Sequence, residues 1–254
     1  MSKYNKNHPQ SFKESDWEKY LNRELTDKEK DILDDAYVER SYNIALRELT
    51  ENINKHNLYV PQLTNYDGNC VFESLAYLGL CDDFDNLRKF TAHMMYYFKN
   101  TKHFFGNLDD DRTLEEIFNQ FNVVENVLCT TNGYLYKYTY ETMCQDLSNE
   151  YSWSRIETHF ILSVISTLFE VRFEIHNNSN TFVSIIGDTY SRVIHLGYID
   201  NNHYVPLSVK SYDVHNLECQ KYPKYCDAYI AYYKWSKTVE KSKKKSHNSI
   251  DNEA

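Results

Sequence analysis

Glycine and proline are scarce in this chain, with only 6 glycines and 4 prolines in 254 residues. This composition excludes collagen-like repeats and the Gly/Pro-rich low-complexity class. The sequence also lacks any apolar run near the ~20 residues that a membrane-spanning helix needs. Its first residues, Met-Ser-Lys-Tyr-Asn-Lys, lack the apolar core of a secretory signal. We therefore expect a globular protein that does not act at a membrane.

The six cysteines show no closely spaced pairs. No C-x-x-C motif occurs, and no His/Cys group has the spacing of a zinc site. So few cysteines in a chain of this length do not form a disulfide scaffold. We therefore expect a reducing compartment, namely the cytoplasm, with the nucleus as the alternative.

Positive charge is also in deficit, since 28 Lys and Arg face 37 Asp and Glu and give a formal net charge of −9. An acidic protein is a poor nonspecific binder of nucleic acid, so we expect no nucleic-acid partner. What is abundant is tyrosine, with 23 residues, accompanied by many Asn and Lys. This composition is typical of an AT-rich coding genome. A large DNA virus is the source we expect, which would put the protein in the host cytosol, and a protist or intracellular bacterium is the alternative.

The most informative segment is residues 67–75, which read Asp-Gly-Asn-Cys-Val-Phe-Glu-Ser-Leu. Cys70 follows a turn-forming triplet and opens a helix-compatible apolar stretch. A thiol in the first turn of a helix lies near unpaired N–H groups and the positive end of the helix dipole, which favour the nucleophilic thiolate. Cys70 is therefore a candidate for covalent catalysis, provided that a histidine reaches it.

A partner for this cysteine occurs far downstream, at His203. Two apolar runs, 193–199 and 204–207, flank a polar turn and predict a β-hairpin whose second strand begins at His203. A cysteine followed by a histidine more than a hundred residues later is the usual layout of a cysteine hydrolase, although the same layout also arises by chance.

Three segments in this order resemble the ovarian tumour (OTU) family of cysteine proteases. They are Asp67-Gly-Asn-Cys-Val-Phe-Glu-Ser-Leu75, Trp153-Ser-Arg-Ile-Glu157 before an apolar helix and strand, and His203-Tyr-Val-Pro-Leu207. The resemblance covers roughly residues 58–210, a plausible size for one domain. It implies an α/β papain-like OTU fold, in which a small, mostly antiparallel central sheet lies between helical layers.

The resemblance also implies an activity, namely thiol-dependent hydrolysis of isopeptide bonds after the C-terminal glycine of ubiquitin or a ubiquitin-like modifier. In that scheme Cys70 is the nucleophile, His203 the base and acid, and Asp67 a third catalytic residue. N–H groups of the 67–70 turn would hold the oxyanion. The partner would be ubiquitin or a polyubiquitin chain, and no metal or organic cofactor is required.

Three positions depart from the family pattern. Glu73 stands where the family usually has Arg, Ser154 where it has Gly, and Val205 where many members carry the Asn or Asp that orients the histidine. The orienting residue is then Asp67 or one of the turn residues Asp200, Asn201 and Asn202. Two other functions stay open: a catalytically weak or inactive OTU-like module that binds ubiquitin, and a cysteine protease that processes polyproteins.

Pattern along the chain predicts three regions. Residues 1–56 form a helical extension, in which Thr26-Asp-Lys-Glu29 matches a capping box that opens a helical stretch to about Asn54. Residues 57–210 form the OTU-like domain, whose Tyr-rich run 134–140 is either a ubiquitin contact or a core strand. Residues 211–254 form an extension with a polar, basic tail.

Overall fold

The computed structural model describes residues 14–36, 40–122, 126–128, 135–149, 157–179, 182–188, 192–200 and 202–210. Within these ranges the protein is a mixed α/β structure. The helices are α1 Glu14–Leu21, α2 Asp27–Ala36, α3 Arg40–Asn54, α4 Cys70–Tyr77, α5 Phe84–Phe98, α6 Leu114–Phe121, α7 Tyr140–Leu147 and α8 Thr158–Phe169. The strands are β1 Leu58–Tyr59, β2 Asn126–Leu128, β3 Leu135–Lys137, β4 Val171–Asn177, β5 Val183–Ile186, β6 Arg192–Ile199 and β7 His203–Val209.

The central sheet has five strands in the order β1-β7-β6-β4-β5. Neighbouring strands are antiparallel except β4 and β6, which run parallel. The predicted small, mostly antiparallel sheet between helices is therefore confirmed. The predicted hairpin is confirmed as well, because β6 and β7 pair with Ile199 opposite His203.

One face of the sheet packs against the helices of the central region. Along β4 the buried residues alternate, so Val171, Phe173 and Ile175 lie on this face. They share one apolar cluster with Phe72 of α4 and Ile165 of α8, all nearly inaccessible to solvent. This core holds α4, and hence Cys70, rigidly against the sheet.

The N-terminal helices cover part of the opposite face. Leu49 and Ile53 of α3 form a second buried cluster with Val205 and Leu207 of β7. At Gly197 the helix comes so close that an added Cβ would lie 2.6 Å from a methyl carbon of Leu49. The segment 1–56 thus contributes helices to the same packed body as the sheet.

The helical stretch predicted from residue 26 to 54 is two helices, because α2 ends at Ala36 and α3 begins at Arg40. The capping box at its start is confirmed: the Thr26 N–H and hydroxyl both donate to Glu29, and the Glu29 N–H donates to Thr26 Oγ1 at 3.3 Å. No described helix is long and apolar enough to cross a membrane. The segments 1–13 and 211–254, most of the Trp153 motif and Asn201 lie outside the described residues.

Candidate active site

Cys70 is the first residue of α4 and follows a tight turn. Gly68 adopts a φ of +80°, in the left-handed region that glycine enters without steric cost. The backbone N–H of Asn69 donates to Asp67 Oδ1 at 3.0 Å, which closes the turn on its own side chain. The Asp-Gly-Asn triplet therefore sets the position at which the helix, and the thiol, begin.

Glu73 braces the loop that leads into this turn. Its carboxylate accepts from the backbone N–H of Asn65 at 2.9 Å and from the Asn65 side-chain amide at 2.7 Å. Glu73 is buried, so these hydrogen bonds compensate for the loss of solvent around its charge. Glu73, which stands where the OTU motif usually has Arg, therefore stabilises this loop through Asn65.

The Cys70 thiol lies against the start of β7. The backbone N–H of Tyr204 donates to Cys70 Sγ at 3.4 Å, and Cys70 is 1% exposed. Burial raises the pKa of the thiol to about 12, although hydrogen bonds from the N–H groups of Tyr204 and Val71 act in the opposite direction. The helix-start effect expected from the sequence is therefore outweighed by burial in this closed arrangement.

His203 is the first residue of β7 and is 2% exposed. Its Nε2 lies 3.1 Å from Thr64 Oγ1, and the Thr64 hydroxyl donates to the carbonyl of Tyr204 at 2.5 Å. A hydroxyl has one hydrogen, so toward His203 the Thr64 oxygen acts as acceptor and Nε2 carries the ring proton. Nδ1 is then the basic nitrogen. Burial lowers the pKa of His203 to about 3, and a hydrogen bond to the backbone of Thr64 opposes that shift.

Two tyrosines enclose the imidazole. Tyr66 stacks on the His203 ring at a centroid distance of 4.8 Å and an interplanar angle of 18°. Tyr42 of α3 meets the same ring edge-on at 5.3 Å. The Tyr66 hydroxyl donates to Asn202 Oδ1 at 2.8 Å, which ties the loop before Cys70 to the turn before His203. Tyr66 is itself half-exposed, so it lies between the imidazole and solvent.

Cys70 lies against the backbone of Tyr204, the residue that follows His203, and both Cys70 and His203 are buried. Burial raises the pKa of Tyr42, the tyrosine that meets the His203 ring edge-on. Among the described residues, no hydrogen bond joins Cys70 Sγ to the His203 ring. Two surface clefts of about 860 and 620 Å³ lie elsewhere, and neither is lined by Cys70 or His203.

The residue that hydrogen-bonds the His203 ring is Thr64, which was not among the candidates from the sequence. Asp67 bonds within its own turn, the side chain of Asn202 bonds Tyr66, and Asp200 is an exposed turn residue with a φ of +50°. Thr64 is fully buried and bonds the imidazole directly. A role for Asp67 in catalysis stays a prediction. Thr64 carries no motif signal, since it is only a hydroxyl residue at the end of an apolar segment.

Two further residues of the sequence motifs have structural roles: Val205 packs in the core and Glu157 caps a helix. Val205 is fully buried between β7 and α3, so the position that often holds an orienting Asn or Asp is part of the apolar core here. Glu157 is the N-cap of α8, and its carboxylate accepts from the N–H of His159 at 3.4 Å.

No protein-family model matches the chain, and no curated protein matches it in sequence. Several solved structures are similar in fold at low identity. The OTU domain of OTUD1 is 15% identical with a TM-score of 0.43, over 66% of this chain and 96% of that domain. An OTU deubiquitinase from Wolbachia pipientis bound to ubiquitin is 16% identical with a TM-score of 0.37, over 61% and 97% of the two chains. An OTU domain in complex with ubiquitin is 14% identical with a TM-score of 0.40, over 73% and 88%.

Proposed function

We propose that this protein is a thiol-dependent deubiquitinase, with Cys70 as nucleophile and His203 as general base and acid. The observation that carries the proposal is the meeting of a helix-start cysteine with the strand that begins at His203, whose Nε2 proton is held by Thr64. This combination supplies a nucleophile, a base and an orienting group, which is the arrangement that activates a weak nucleophile. The Asp-Gly-Asn-Cys and His-Tyr-Val-Pro-Leu motifs resemble those of OTU proteases, which is why ubiquitin is the expected substrate.

The chemical steps use the two sides of the imidazole. Nδ1 of His203 takes the proton of the Cys70 thiol, and the thiolate attacks the carbonyl carbon of the C-terminal glycine of ubiquitin. The lysine amine leaves with the proton from Nδ1, and a thioester remains on Cys70. Water then gives its proton to Nδ1, the hydroxide attacks the thioester, and the proton returns to the departing sulfur. Throughout, Thr64 holds the Nε2 proton and the ring orientation.

Oxyanion stabilisation falls to backbone N–H groups at the start of α4. The N–H of Asn69 donates to Asp67, so Asp67 supports the turn that presents the remaining amides. This gives Asp67 a positioning contribution to the reaction. Donors that are fixed before the substrate arrives need little reorganisation when charge develops.

Substrate binding requires the closed site to open. Cys70 and His203 are both buried, and Tyr66 covers the imidazole. We infer that the extended C-terminal tail of ubiquitin displaces Tyr66 and enters between the 64–69 loop and the turn before β7. Removal of Tyr66 lets water or substrate polar groups approach His203, which raises its pKa toward the range in which it can accept a proton.

The test is a covalent probe, namely ubiquitin that carries an electrophile in place of its C-terminal carboxylate. Wild-type protein, Cys70→Ala and the matched buried-cysteine variant Cys144→Ala are each incubated with the probe, and intact mass is measured. The proposal expects one adduct on the wild type and on Cys144→Ala, and none on Cys70→Ala. A folded wild-type protein without an adduct would contradict it.

A non-catalytic ubiquitin-binding module is the second candidate. The observation that favours it is the closed site, in which Cys70 and His203 share no hydrogen bond and the thiol is buried. This module would bind ubiquitin without forming an adduct, which an equilibrium binding measurement detects. A protease for polyproteins would form no ubiquitin complex of either kind, and would cleave an intact protein substrate in a Cys70-dependent manner.

A further inference from the structure

A second group of chemically reactive side chains lies on the sheet, away from Cys70. Glu174 and His176 are two residues apart on β4, so both project from the same face of the strand. His195 of the parallel strand β6 is paired in register with Glu174. One ligand atom from each of the three side chains lies within 4.8 Å of the others. The parallel register of β4 and β6 thus brings together two imidazoles and a carboxylate.

The cluster contains polar atoms that the protein leaves unsatisfied. His176 is 4% exposed, and its buried Nε2 has no hydrogen-bond partner among the described residues. The buried Nδ1 of His195 also lacks a hydrogen bond, and its nearest acidic atom is Glu174 Oε2 at 3.5 Å. Buried polar groups are almost always paired, so two orphaned ring nitrogens facing one carboxylate need an explanation.

We propose that Glu174, His176 and His195 form a binding site for a divalent transition-metal ion, with zinc as the best-fitting occupant. Imidazole nitrogens and one carboxylate oxygen are a common zinc ligand set. Two ligands of a tetrahedral zinc ion with bonds of about 2.0–2.1 Å lie about 3.4 Å apart. The separation of 3.5 Å between His195 Nδ1 and Glu174 Oε2 matches that spacing. The ligand atom of His176 lies within 4.8 Å of both of these atoms.

The charged neighbours of the cluster are compatible with a cation. Arg172 pairs with Oε1 of Glu174 at 3.0 Å, which leaves Oε2 directed toward His195. His56, in the turn after α3, contacts the His176 ring at a centroid distance of 5.0 Å and meets solvent. His56 therefore lies next to the cluster on its solvent side. Two of the three candidate ligands are imidazoles, which bind metal ions in their neutral form.

The site would clamp β4 to β6 from the face opposite the α8 core. It lies beside α3, whose Asn52 amide donates to the backbone carbonyl of Asn178 at 2.9 Å, just past the end of β4. It is separate from the proposed catalytic residues, so metal binding is expected to stabilise the fold without taking part in hydrolysis.

The experiment is metal binding to the full chain, without any histidine tag. Zinc affinity is measured by competition with a chromogenic chelator, and Co²⁺ serves as a spectroscopic probe, since tetrahedral cobalt absorbs strongly in visible light. Wild type is compared with His195→Gln and Glu174→Gln, which replace half-buried groups by neutral side chains of similar size. The control is His93→Gln, an exposed histidine on α5. Cys70→Ala tests whether the catalytic thiol contributes.

The proposal expects one equivalent of Zn²⁺ on wild type, His93→Gln and Cys70→Ala, with a weakening of about tenfold or more in each cluster variant. Zinc should also raise the melting temperature of the wild type by more than it raises that of the cluster variants at the same zinc concentration. Circular dichroism of the metal-free proteins verifies that the variants fold. Absence of stoichiometric binding to the wild type would overturn the proposal, as would equal affinity in the cluster variants.

Discussion

Thr64→Val is the substitution that most directly examines how His203 is held. Valine has the shape of threonine without the hydroxyl, so it opens no cavity at this fully buried position. It removes the acceptor for His203 Nε2 and the donor to the Tyr204 carbonyl. Each buried polar group that loses its partner costs about 1–3 kcal/mol, so we expect a loss of about 2–6 kcal/mol in the free energy of unfolding for the two groups together.

The same substitution should slow catalysis more than it weakens substrate binding. Without Thr64 the ring can take the tautomer with a proton on Nδ1, which cannot accept the proton of Cys70. A neutral hydroxyl orients the ring less strongly than a carboxylate does. We therefore expect kcat to fall about 10- to 100-fold, equivalent to about 1.4–2.7 kcal/mol, with KM nearly unchanged.

The assays are urea unfolding and hydrolysis of a fluorogenic amide at the C-terminus of ubiquitin. Thr64→Ser is the matched control, because it keeps the hydroxyl and deletes only one methyl group, so its kcat should stay close to that of the wild type. If Thr64→Val hydrolyses the substrate at the wild-type rate, Thr64 does not position His203. A loss of kcat in Thr64→Ser as large as that in Thr64→Val would point to packing instead.

Three further predictions concern the surroundings of the site. Glu29 is buried, and hydrogen bonds from Arg23, Thr26 and Leu63 outweigh that burial and lower its pKa to about 2; the Leu63 N–H donates at 2.8 Å. Glu29→Gln should therefore lower the free energy of unfolding by about 2–4 kcal/mol in urea titrations. The control is Glu51→Gln, which alters an exposed ion pair and should change the free energy of unfolding by less than about 0.5 kcal/mol. Equal effects of the two substitutions would refute the stabilising role of Glu29. Because burial lowers the pKa of His203 from 6.5 to about 3, stability should fall as pH drops below about 6.5, by up to about 1.4 kcal/mol per pH unit. Because buried His176 also has a lowered pKa, His203→Asn should reduce that slope without removing it, and an unchanged slope would contradict the lowered pKa of His203. Tyr66→Ala should uncover the ring and raise the pKa of His203 in NMR titrations, whereas Tyr66→Phe, which keeps the stacked ring, should leave it low.

Local sequence patterns predicted those parts of the fold that depend on neighbouring residues. The capping box at Thr26, the hairpin whose second strand begins at His203 and the helix that begins at Cys70 were each visible in a few consecutive residues. The helical stretch expected over 26–54 consists of two helices, and a broken apolar stripe does not reveal where one helix ends and the next begins.

Features that depend on distant pairings could not be predicted. Thr64 meets His203 only because the segment after β1 runs beside β7, and β1 pairs with β7 across about 150 residues of chain. The three side chains of the proposed metal site meet through the parallel register of β4 and β6. Sequence spacing between strands does not specify register, so neither contact has a local signal.

The most direct test of the central claim is cleavage of isopeptide-linked diubiquitin, followed by gel electrophoresis and intact mass across all linkage types. The account predicts that the wild-type protein releases ubiquitin with an intact C-terminal glycine from at least one linkage, and that Cys70→Ser releases none. If folded wild-type protein leaves every linkage uncleaved, or if Cys70→Ser cleaves as fast as the wild type, the assignment of Cys70 and His203 as a ubiquitin-directed catalytic pair is contradicted.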